Sequence, residues 1–160
     1  MTSYKDFPRP AVTCDVVVVT DEPDPRVLLI LRGHEPGKGL WALPGGFVDV
    51  GDVFSDQGED IDVAAYRELE EETGLSRALL AEHGVQLVQV GAVGTPYRDA
   101  RQRIITIVWA ARIPVSLVNR AVAGDDADDA RWAPITGLDR DKLAFDHGRL
   151  LELGVARLSQ

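Results

Sequence analysis

The sequence RELEEETGL, residues 67–75, decides the fold because it places acidic side chains where a helix ordinarily buries apolar ones. At about 100° per residue, the face that continues the preceding apolar stripe comprises Ile61, Ala64, Ala65, Glu68, Glu71 and Glu72. We therefore predict a helix from about Asp60 to Thr73 whose acidic half faces the protein. Gly74 suits the left-handed C-cap, and Leu75 suits the hydrophobic contact that follows such a cap.

The acidic half of this predicted helix needs a compensating cation. Carboxylates three or four residues apart on a helix lie about 5 to 6 Å apart, and each pair repels by roughly 3 kcal/mol at an effective dielectric near 20. Converging oxygen ligands suit Mg²⁺ or Mn²⁺, which keep open positions for phosphate oxygens. A run of glutamates is more commonly a solvated helix face, but the phase of Glu68 and Glu72 favours a metal site.

At these residues the chain resembles the Nudix hydrolase family. The family signature is Gly, five residues, Glu, seven residues, then Arg-Glu-U-x-Glu-Glu-x-Gly-U, where U is a bulky aliphatic residue. Residues 67–75 match every fixed position of the second half, and Glu59 stands seven intervening residues before Arg67. The upstream sequence LPGGFV, residues 43–48, is similar to the loop that precedes the signature, with Gly46 as its first glycine.

The first half of the signature is longer in this chain than in the family. Twelve residues separate Gly46 from Glu59 where the family has five, so about seven residues are inserted within 49–58. Asp52 lies at the standard distance from Gly46, and Glu59 lies at the standard distance from the helix, so either acid fits the family's first position. We favour Glu59 because it is contiguous with the helix.

The resemblance implies an α/β/α sandwich with a mixed sheet, and metal-dependent attack of water on a nucleoside diphosphate linked to another group. By position in the motif, the implied metal ligands are Gly46 through its carbonyl, Glu59, Glu68, Glu71 and Glu72. Because family members differ in which acid is the general base, the predicted catalytic residues are Arg67, Glu68 and Glu71. Arg67 would orient Glu68, or would simply pair with Glu71 on the helix surface.

A polar segment between two predicted strands is the main candidate for substrate binding. It reads TPYRDARQR, residues 95–103, in an otherwise acidic protein. Arginine grips phosphate bidentately and an aromatic face stacks on a base, although a solvated hairpin loop explains the segment equally well. Asp99 shares one side of the extended chain with an arginine, which predicts an internal ion pair. The candidate substrate ligands are Arg32, Tyr97, Arg98, Arg101 and Arg103.

The sequence LAFDH, residues 143–147, together with the Gly-Gly-Phe-Val segment, is similar to Nudix proteins that handle ADP-ribose. ADP-ribose or a related ADP-sugar is therefore the predicted substrate. Alternatives are nucleoside triphosphates, dinucleoside polyphosphates, and a role as a non-catalytic ADP-ribose sensor. Asp128 or Asp129, in a predicted acidic loop over 125–129, would supply a distal acid or form a plain polar turn. The three histidines lack metal-like spacing and are interpreted as structural or exposed.

Composition is compatible with such an enzyme. The 160 residues, 45% of them hydrophobic, fit one domain over 1–160. The net charge of −9 disfavours nucleic-acid and anionic membrane partners, so the expected partner is a small nucleotide, and a homodimer is left open. A lone cysteine, Cys14, and the lack of an evident signal peptide predict a cytoplasmic protein.

The remaining sequence alternates between strand and helix patterns. We predict two adjacent strands at 16–20 and 27–31, joined by a turn over 21–25. Further extended segments are predicted at 41–43, 47–48, 86–93, 103–113 and 131–133. A final helix is predicted to follow an N-cap at Asp146 and to end near Leu158.

Overall fold

The computed structural model describes residues 8–51, 58–124 and 127–160, with Asp128 as backbone only. Within these ranges the strands are β1 (Ala11–Thr20), β2 (Arg26–Arg32), β3 (Trp41–Ala42), β4 (Gly45–Phe47), β5 (Val88–Val93), β6 (Ile104–Ile113) and β7 (Ala127–Pro134). The α-helices are α1 (Ile61–Thr73), α2 (Arg77–Glu82) and α3 (His147–Leu158). Short 3-10 helices occur at Val115–Arg120 and Arg140–Lys142. No helix in the described ranges is long and apolar enough to cross a bilayer.

The strands form one mixed sheet around β1. Its order is β3-β2-β1-β6-β5, with β4 also paired to β1 and β7 to β2. β1 runs parallel to β6 along its whole length, and the other pairs are antiparallel. The predicted adjacency of the first two strands is confirmed by the pairing of Val19 with Val27.

Helices cover both faces of this sheet. Because side chains alternate along a strand, Val16 and Val18 of β1 pack in the core beneath α1, while Val17 and Val19 pack in the core beneath α3. A strand that is buried on both faces reads as a continuous apolar run, as β1 does. The predicted α/β/α arrangement is confirmed.

The predicted cap and end of α1 are confirmed, but the predicted buried face is only partly right. Gly74 has φ 71° and donates its N–H to Glu70 O at 2.8 Å, and Leu75 is fully buried. Ile61 and Glu71, predicted to face the protein, are exposed. The buried face of α1 is rotated relative to the predicted one, so that it includes Leu69 and Thr73. Its buried residues are Ala64, Ala65, Leu69, Glu72 and Thr73.

Other elements differ from the prediction: β1 begins at Ala11 instead of residue 16, and β4 spans Gly45–Phe47 instead of 47–48. The strand predicted at 131–133 spans Ala127–Pro134, because it pairs with β2 along its whole length and this pairing overrides the poor strand propensity of aspartate. Asp129, predicted in an acidic loop, therefore lies in a strand opposite Leu31. Helix α2 was not predicted, since six residues are too few to show a periodicity. Asp125, Asp126 and the side chain of Asp128 lie outside the described residues.

Candidate active site

The acidic side of α1 lies against the Gly-Gly segment of β4. The Gly45 N–H donates to Glu72 Oε2 at 2.8 Å. A Cβ at Gly46 would lie 2.6 Å from the carboxylate atoms of Glu68, so any other residue here would displace that carboxylate. Pairing of Gly46 with Cys14 fixes β4 on the sheet. The structure thus brings together Gly46, Glu68 and Glu72, as their predicted shared role requires.

Burial and mutual repulsion destabilise the charged forms of Glu68 and Glu72. Burial, followed by repulsion from Glu68 and Asp15, raises the pKa of Glu72 to about 8, against the opposing hydrogen bond from Gly45. Burial also raises the pKa of Glu68, although Arg67 opposes this shift. Groups with such shifts favour a neighbouring cation, which would return them to the charged form.

Arg67 supplies the positive charge on the outer side of the acidic turn of α1, which carries Glu68, Glu71 and Glu72. Its Nε and Nη2 hold the Glu59 carboxylate at 2.6–3.2 Å. Its Nη1 donates to Glu68 Oε1 at 2.8 Å and to Glu71 Oε2 at 3.0 Å, and Nη2 also donates to Phe47 O at 3.0 Å. The predicted orienting contact with Glu68 and the alternative helix-surface pair with Glu71 are therefore both present.

The ends of the 49–58 segment meet beside Glu59. The Asp49 N–H donates to Glu59 Oε1 at 2.9 Å, and the Glu59 N–H donates to Asp49 O at 3.0 Å. Hydrogen bonds from Arg67 and Asp49 lower the pKa of Glu59, so this acid is an ion-pair partner in the structure. Asp52 lies outside the described residues, and the choice between the two acids as outer ligand stays a prediction.

The donor set fits a divalent cation of the Mg²⁺ or Mn²⁺ kind. Among the described residues, no three histidine, cysteine, aspartate or glutamate side chains are arranged so that they could hold a metal ion in this structure, and a guanidinium occupies the outer side of the turn. Glu72 nevertheless offers a buried carboxylate whose direct hydrogen bond comes from a backbone N–H. Hard oxygens of this type, beside a glycine that permits close approach, are what these cations bind.

A cavity of about 330 Å³ opens beside the Gly-Gly segment. Since Gly45 and Gly46 line it, the cavity adjoins the acidic turn of α1. Its charged and aromatic lining consists of Asp15, Arg32, His34, Glu35, Phe47, Arg98, Asp99, Arg101, Phe145 and His147. Three of the five predicted substrate ligands are thus brought together. Tyr97, which is 97% exposed, and Arg103 do not line the cavity.

Two of the three cavity arginines already have acidic partners. Arg98, with a side chain only 6% exposed, donates to both Asp146 oxygens at 2.7 and 3.0 Å. Arg101 pairs with Asp99 at 2.7 Å, which confirms the predicted internal ion pair. The guanidinium of Arg101 also lies 5.6 Å from the centre of the Phe145 ring. Arg98 is therefore built into the protein, whereas Arg101 presents a paired cation to the cavity.

Arg32 is the cavity arginine best placed to receive an anion. Its Nε donates to Pro36 O at 3.1 Å, and its guanidinium lies 5.0 Å from the centre of the Phe145 ring. Burial, followed by repulsion from Arg101, lowers the pKa of Arg32. Two cations that face one aromatic ring and repel each other would both be stabilised by an anion between them.

We expect Arg98→Ala to reduce stability and Arg32→Ala to weaken substrate binding. Removing Arg98 leaves the partly buried Asp146 carboxylate and the buried Asp15 carboxylate without their cation, which costs about 3 kcal/mol of unfolding free energy. Removing Arg32 should leave the melting temperature within a few degrees and raise KM at least about tenfold, because we expect Arg32 to contact the substrate. Thermal melts and steady-state kinetics on both variants measure this. An unchanged KM in Arg32→Ala, or an unchanged melting temperature in Arg98→Ala, would contradict the assignment.

Sequence reasoning missed Asp15 and gave His147 no specific role. Asp15 is only 6% exposed, and it interrupts the apolar run of β1. A buried carboxylate needs a hydrogen-bond partner or a cation, and this interruption was the available signal. The partners of Asp15 are Arg98, Thr106 and His147, all far along the chain, so no local pattern identifies them.

The family model described as the NUDIX domain matches residues 9–154. The ADP-ribose pyrophosphatase of Methanocaldococcus jannaschii is 34% identical over 152 residues, which cover 95% of this chain and 77% of that protein. The ADPR-responsive transcriptional repressor NtrR of Acinetobacter baylyi is 32% identical over 155 residues, which cover 96% of this chain and 56% of the repressor.

A solved structure gives the same fold. The NUDIX domain of Shewanella oneidensis NrtR, complexed with ADP ribose, superimposes with a TM-score of 0.78 and 30% sequence identity, over 98% of this chain and 94% of that domain. A bifunctional NMN adenylyltransferase/ADP ribose pyrophosphatase from Francisella tularensis, complexed with AMP and a Mn ion, gives a TM-score of 0.75 at 28% identity, over 95% of this chain and 43% of that one. With the signature, the fold and the family model in agreement, the chain belongs to the Nudix family.

Proposed function

We propose that this chain is a Nudix pyrophosphohydrolase that uses Mg²⁺ or Mn²⁺ to hydrolyse ADP-ribose or a related ADP-sugar. The observation that carries the proposal is the position of the acidic turn of α1 beside a cavity lined with cations and aromatic rings. The similarity to an ADP-ribose pyrophosphatase supports the reaction and the substrate class. Nucleoside triphosphates and dinucleoside polyphosphates are the alternative substrates.

The residues of the acidic turn divide the chemical work. A bound cation would neutralise phosphate oxygens and activate water. Glu71, Glu72 and the carbonyl of Gly46 are the groups proposed to hold it, and Glu68 would be either a further ligand or the general base. Glu68 Oε1 accepts a hydrogen bond from Arg67, which leaves Oε2 to accept the proton of the attacking water. The raised pKa of Glu68 brings it nearer the working pH of a general base. Glu59 would act mainly by holding Arg67.

The cavity is proposed to hold the nucleoside diphosphate moiety. Arg32 would receive a phosphate, and the exposed ring of Phe47 and the ring of Phe145 offer flat surfaces to a base or a sugar. Gly45 and Gly46 line the cavity and also lie against the acidic turn. A pyrophosphate bound in the cavity would therefore extend to the acidic turn. Tyr97 and Arg103, outside the cavity in this structure, remain proposals for contacts with the substrate's outer end.

A second candidate function is that of a non-catalytic ADP-ribose sensor. The specific support is the similarity to an ADPR-responsive repressor and to the NUDIX domain of NrtR bound to ADP ribose. The unbroken acidic signature of residues 67–75 favours catalysis over this role. The chain spans 56% of the length of the repressor. Control of transcription through DNA binding is therefore a proposal for this protein.

The test is a panel of ADP-ribose, ADP-sugars, diadenosine polyphosphates and nucleoside triphosphates with Mg²⁺, Mn²⁺ or EDTA. We expect ADP-ribose to yield AMP and ribose 5-phosphate, and EDTA to abolish the reaction. Calorimetric binding of ADP-ribose is measured in parallel. Binding without product under both metals would support the sensor, whereas preferential cleavage of another substrate would replace ADP-ribose.

The remaining proposals concern the whole molecule. We propose that residues 1–160 act as a single domain in the cytoplasm, without a nucleic-acid partner, on the strength of the net charge of −9 and the one buried cysteine. The relationship to a repressor is the reason to test DNA binding directly. Light scattering decides between a monomer and a homodimer.

A further inference from the structure

The segment FDH, residues 145–147, contains a buried histidine with an unusual partner. His147 is 5% exposed, and its Nδ1 accepts the backbone N–H of Leu43 at 2.9 Å, across 104 positions of sequence. A neutral imidazole has one donor nitrogen and one acceptor nitrogen. Because Nδ1 accepts, the hydrogen must be on Nε2. The ring is thus in one defined tautomer.

The other side of the ring faces a buried carboxylate. Nε2 of His147 lies 3.5 Å from Asp15 Oδ1, and the Thr106 hydroxyl donates to Asp15 Oδ2 at 2.6 Å. Burial lowers the pKa of His147, which keeps the ring neutral. The charged groups around it are Asp15 on β1, Arg32 on β2, Arg98 before β6 and the adjacent Asp146.

The backbone that His147 holds leads directly into the candidate metal site. Leu43 precedes the Gly45–Gly46 pair, of which Gly45 binds Glu72 and Gly46 touches Glu68. A second bond, from the Ala144 N–H to Trp41 O at 2.8 Å, ties the same turn to the preceding strand. Residues 43–46, called the metal loop from here on, are therefore fixed from the α3 side at their entrance.

We propose that His147 is a positioning residue that fixes the metal loop through its Nδ1 acceptor, with Asp15 holding the tautomer. The inference rests on the proposed function for the role of the loop, but the contact itself does not. Without the acceptor, a buried N–H of Leu43 would be unpaired, which costs the desolvation of that group. The loop would still be held by its pairing with β1, but its entrance at Leu43 would shift relative to Glu68 and Glu72. Supporting contacts of this kind commonly govern metal affinity.

The test compares His147→Asn with His147→Leu. Asparagine places an amide oxygen near the position of Nδ1 and keeps the acceptor, whereas leucine fills similar space without one. We expect His147→Leu to lose about tenfold or more in kcat with KM within about twofold, and to bind Mn²⁺ at least about tenfold more weakly. His147→Asn should recover most of both losses. His83→Leu is the matched control, because His83 is exposed and its ring bonds the nearby backbone oxygen of Leu79.

A measurement on the unaltered protein keeps the proposal open to refutation if a variant fails to fold. Nitrogen-15 NMR of the imidazoles should show His147 with an unprotonated Nδ1 and a protonated Nε2. A protonated Nδ1 would overturn the proposal, as would equal Mn²⁺ affinity in the leucine variant and the parent, or equal losses in the leucine and asparagine variants. Absence of hydrolysis in the parent would instead refute the proposed function, while the Mn²⁺ and NMR measurements would still decide the role of His147.

Discussion

Glu72→Gln should abolish turnover and, in the absence of metal, stabilise the protein at alkaline pH. Glutamine keeps the shape and an oxygen acceptor for the Gly45 N–H, but it removes the charge that a cation needs. Loss of several kcal/mol of transition-state stabilisation corresponds to about a thousandfold in kcat. The gain in stability follows from the pKa of about 8 that burial gives Glu72.

The sign of the pH effect follows from proton binding. The folded pKa of Glu72 lies above its ordinary value of 4.5, so the folded state binds more protons than the unfolded state between about pH 4.5 and 8. Stability must therefore fall as pH rises through that window. The lowered pKa of His147 affects stability only below its ordinary value of 6.5. Because burial also raises the pKa of Glu68, it is the difference between the melts of the parent and of Glu72→Gln from pH 6.5 to 8 that isolates the contribution of Glu72.

The measurement is a series of thermal melts in EDTA, together with initial rates in Mg²⁺. The melting temperature of the parent protein should fall from pH 6.5 to 8, and that of Glu72→Gln should fall less and end higher. Mn²⁺ should raise the melting temperature of the parent most at the alkaline end. Glu70→Gln, on the exposed side of α1, is the control and should match the parent. Near-normal turnover in Glu72→Gln would remove this acid from the mechanism.

Arg67→Lys is expected to produce the second large effect, although it preserves charge. The guanidinium bonds Glu59, Glu68, Glu71 and Phe47 O at the same time, and one ammonium group cannot reach all four. Glu68 would lose its fixed orientation, so kcat should fall more than about a hundredfold. Unpaired acids around Glu59 should also lower the melting temperature by several degrees.

Kinetics and melts on Arg67→Lys are compared with those on Arg77→Lys. Arg77 is an exposed arginine that also pairs with an acid, Asp62, at 3.5 Å, but it does not line the cavity. The control should behave as the parent does, since exposed ion pairs contribute little. Equal kinetic constants in the two variants would show that Arg67 contributes only surface charge.

The local parts of this molecule were predictable from sequence. The end of α1 at Thr73 and its glycine cap follow from neighbouring residues, and so does the close relation of Glu68 to Glu72, because helical spacing is local physics. The Asp99–Arg101 pair was predictable for the same reason, being two positions apart. Each of these features is decided within one turn or one strand.

The cavity was not predictable in the same way. Arg98 reads as a free loop cation until Asp146, 48 positions later, is seen to bind it. Arg32 is distinguished only by the absence of such a partner among the described residues and by the ring of Phe145 beside it. Tertiary pairing therefore decides which arginine is structural and which is available to bind an anion. Neither the composition nor the local sequence shows this pairing.

The parallel pairing of β1 with β6 has a consequence for biosynthesis. Ala11 pairs with Ile104, so the apolar run of β1 leaves the ribosome long before the strand that covers its edge. At about 5 to 20 residues per second, the intervening chain takes about 5 to 20 s to make. Val16 to Val19 stay without that neighbour throughout this interval, and long-range parallel pairing is slow to form. The edge of β1 that pairs with β6 should therefore stay uncovered until β6 has emerged, whereas β4, which carries Gly45 and Gly46, can pair with β1 much earlier.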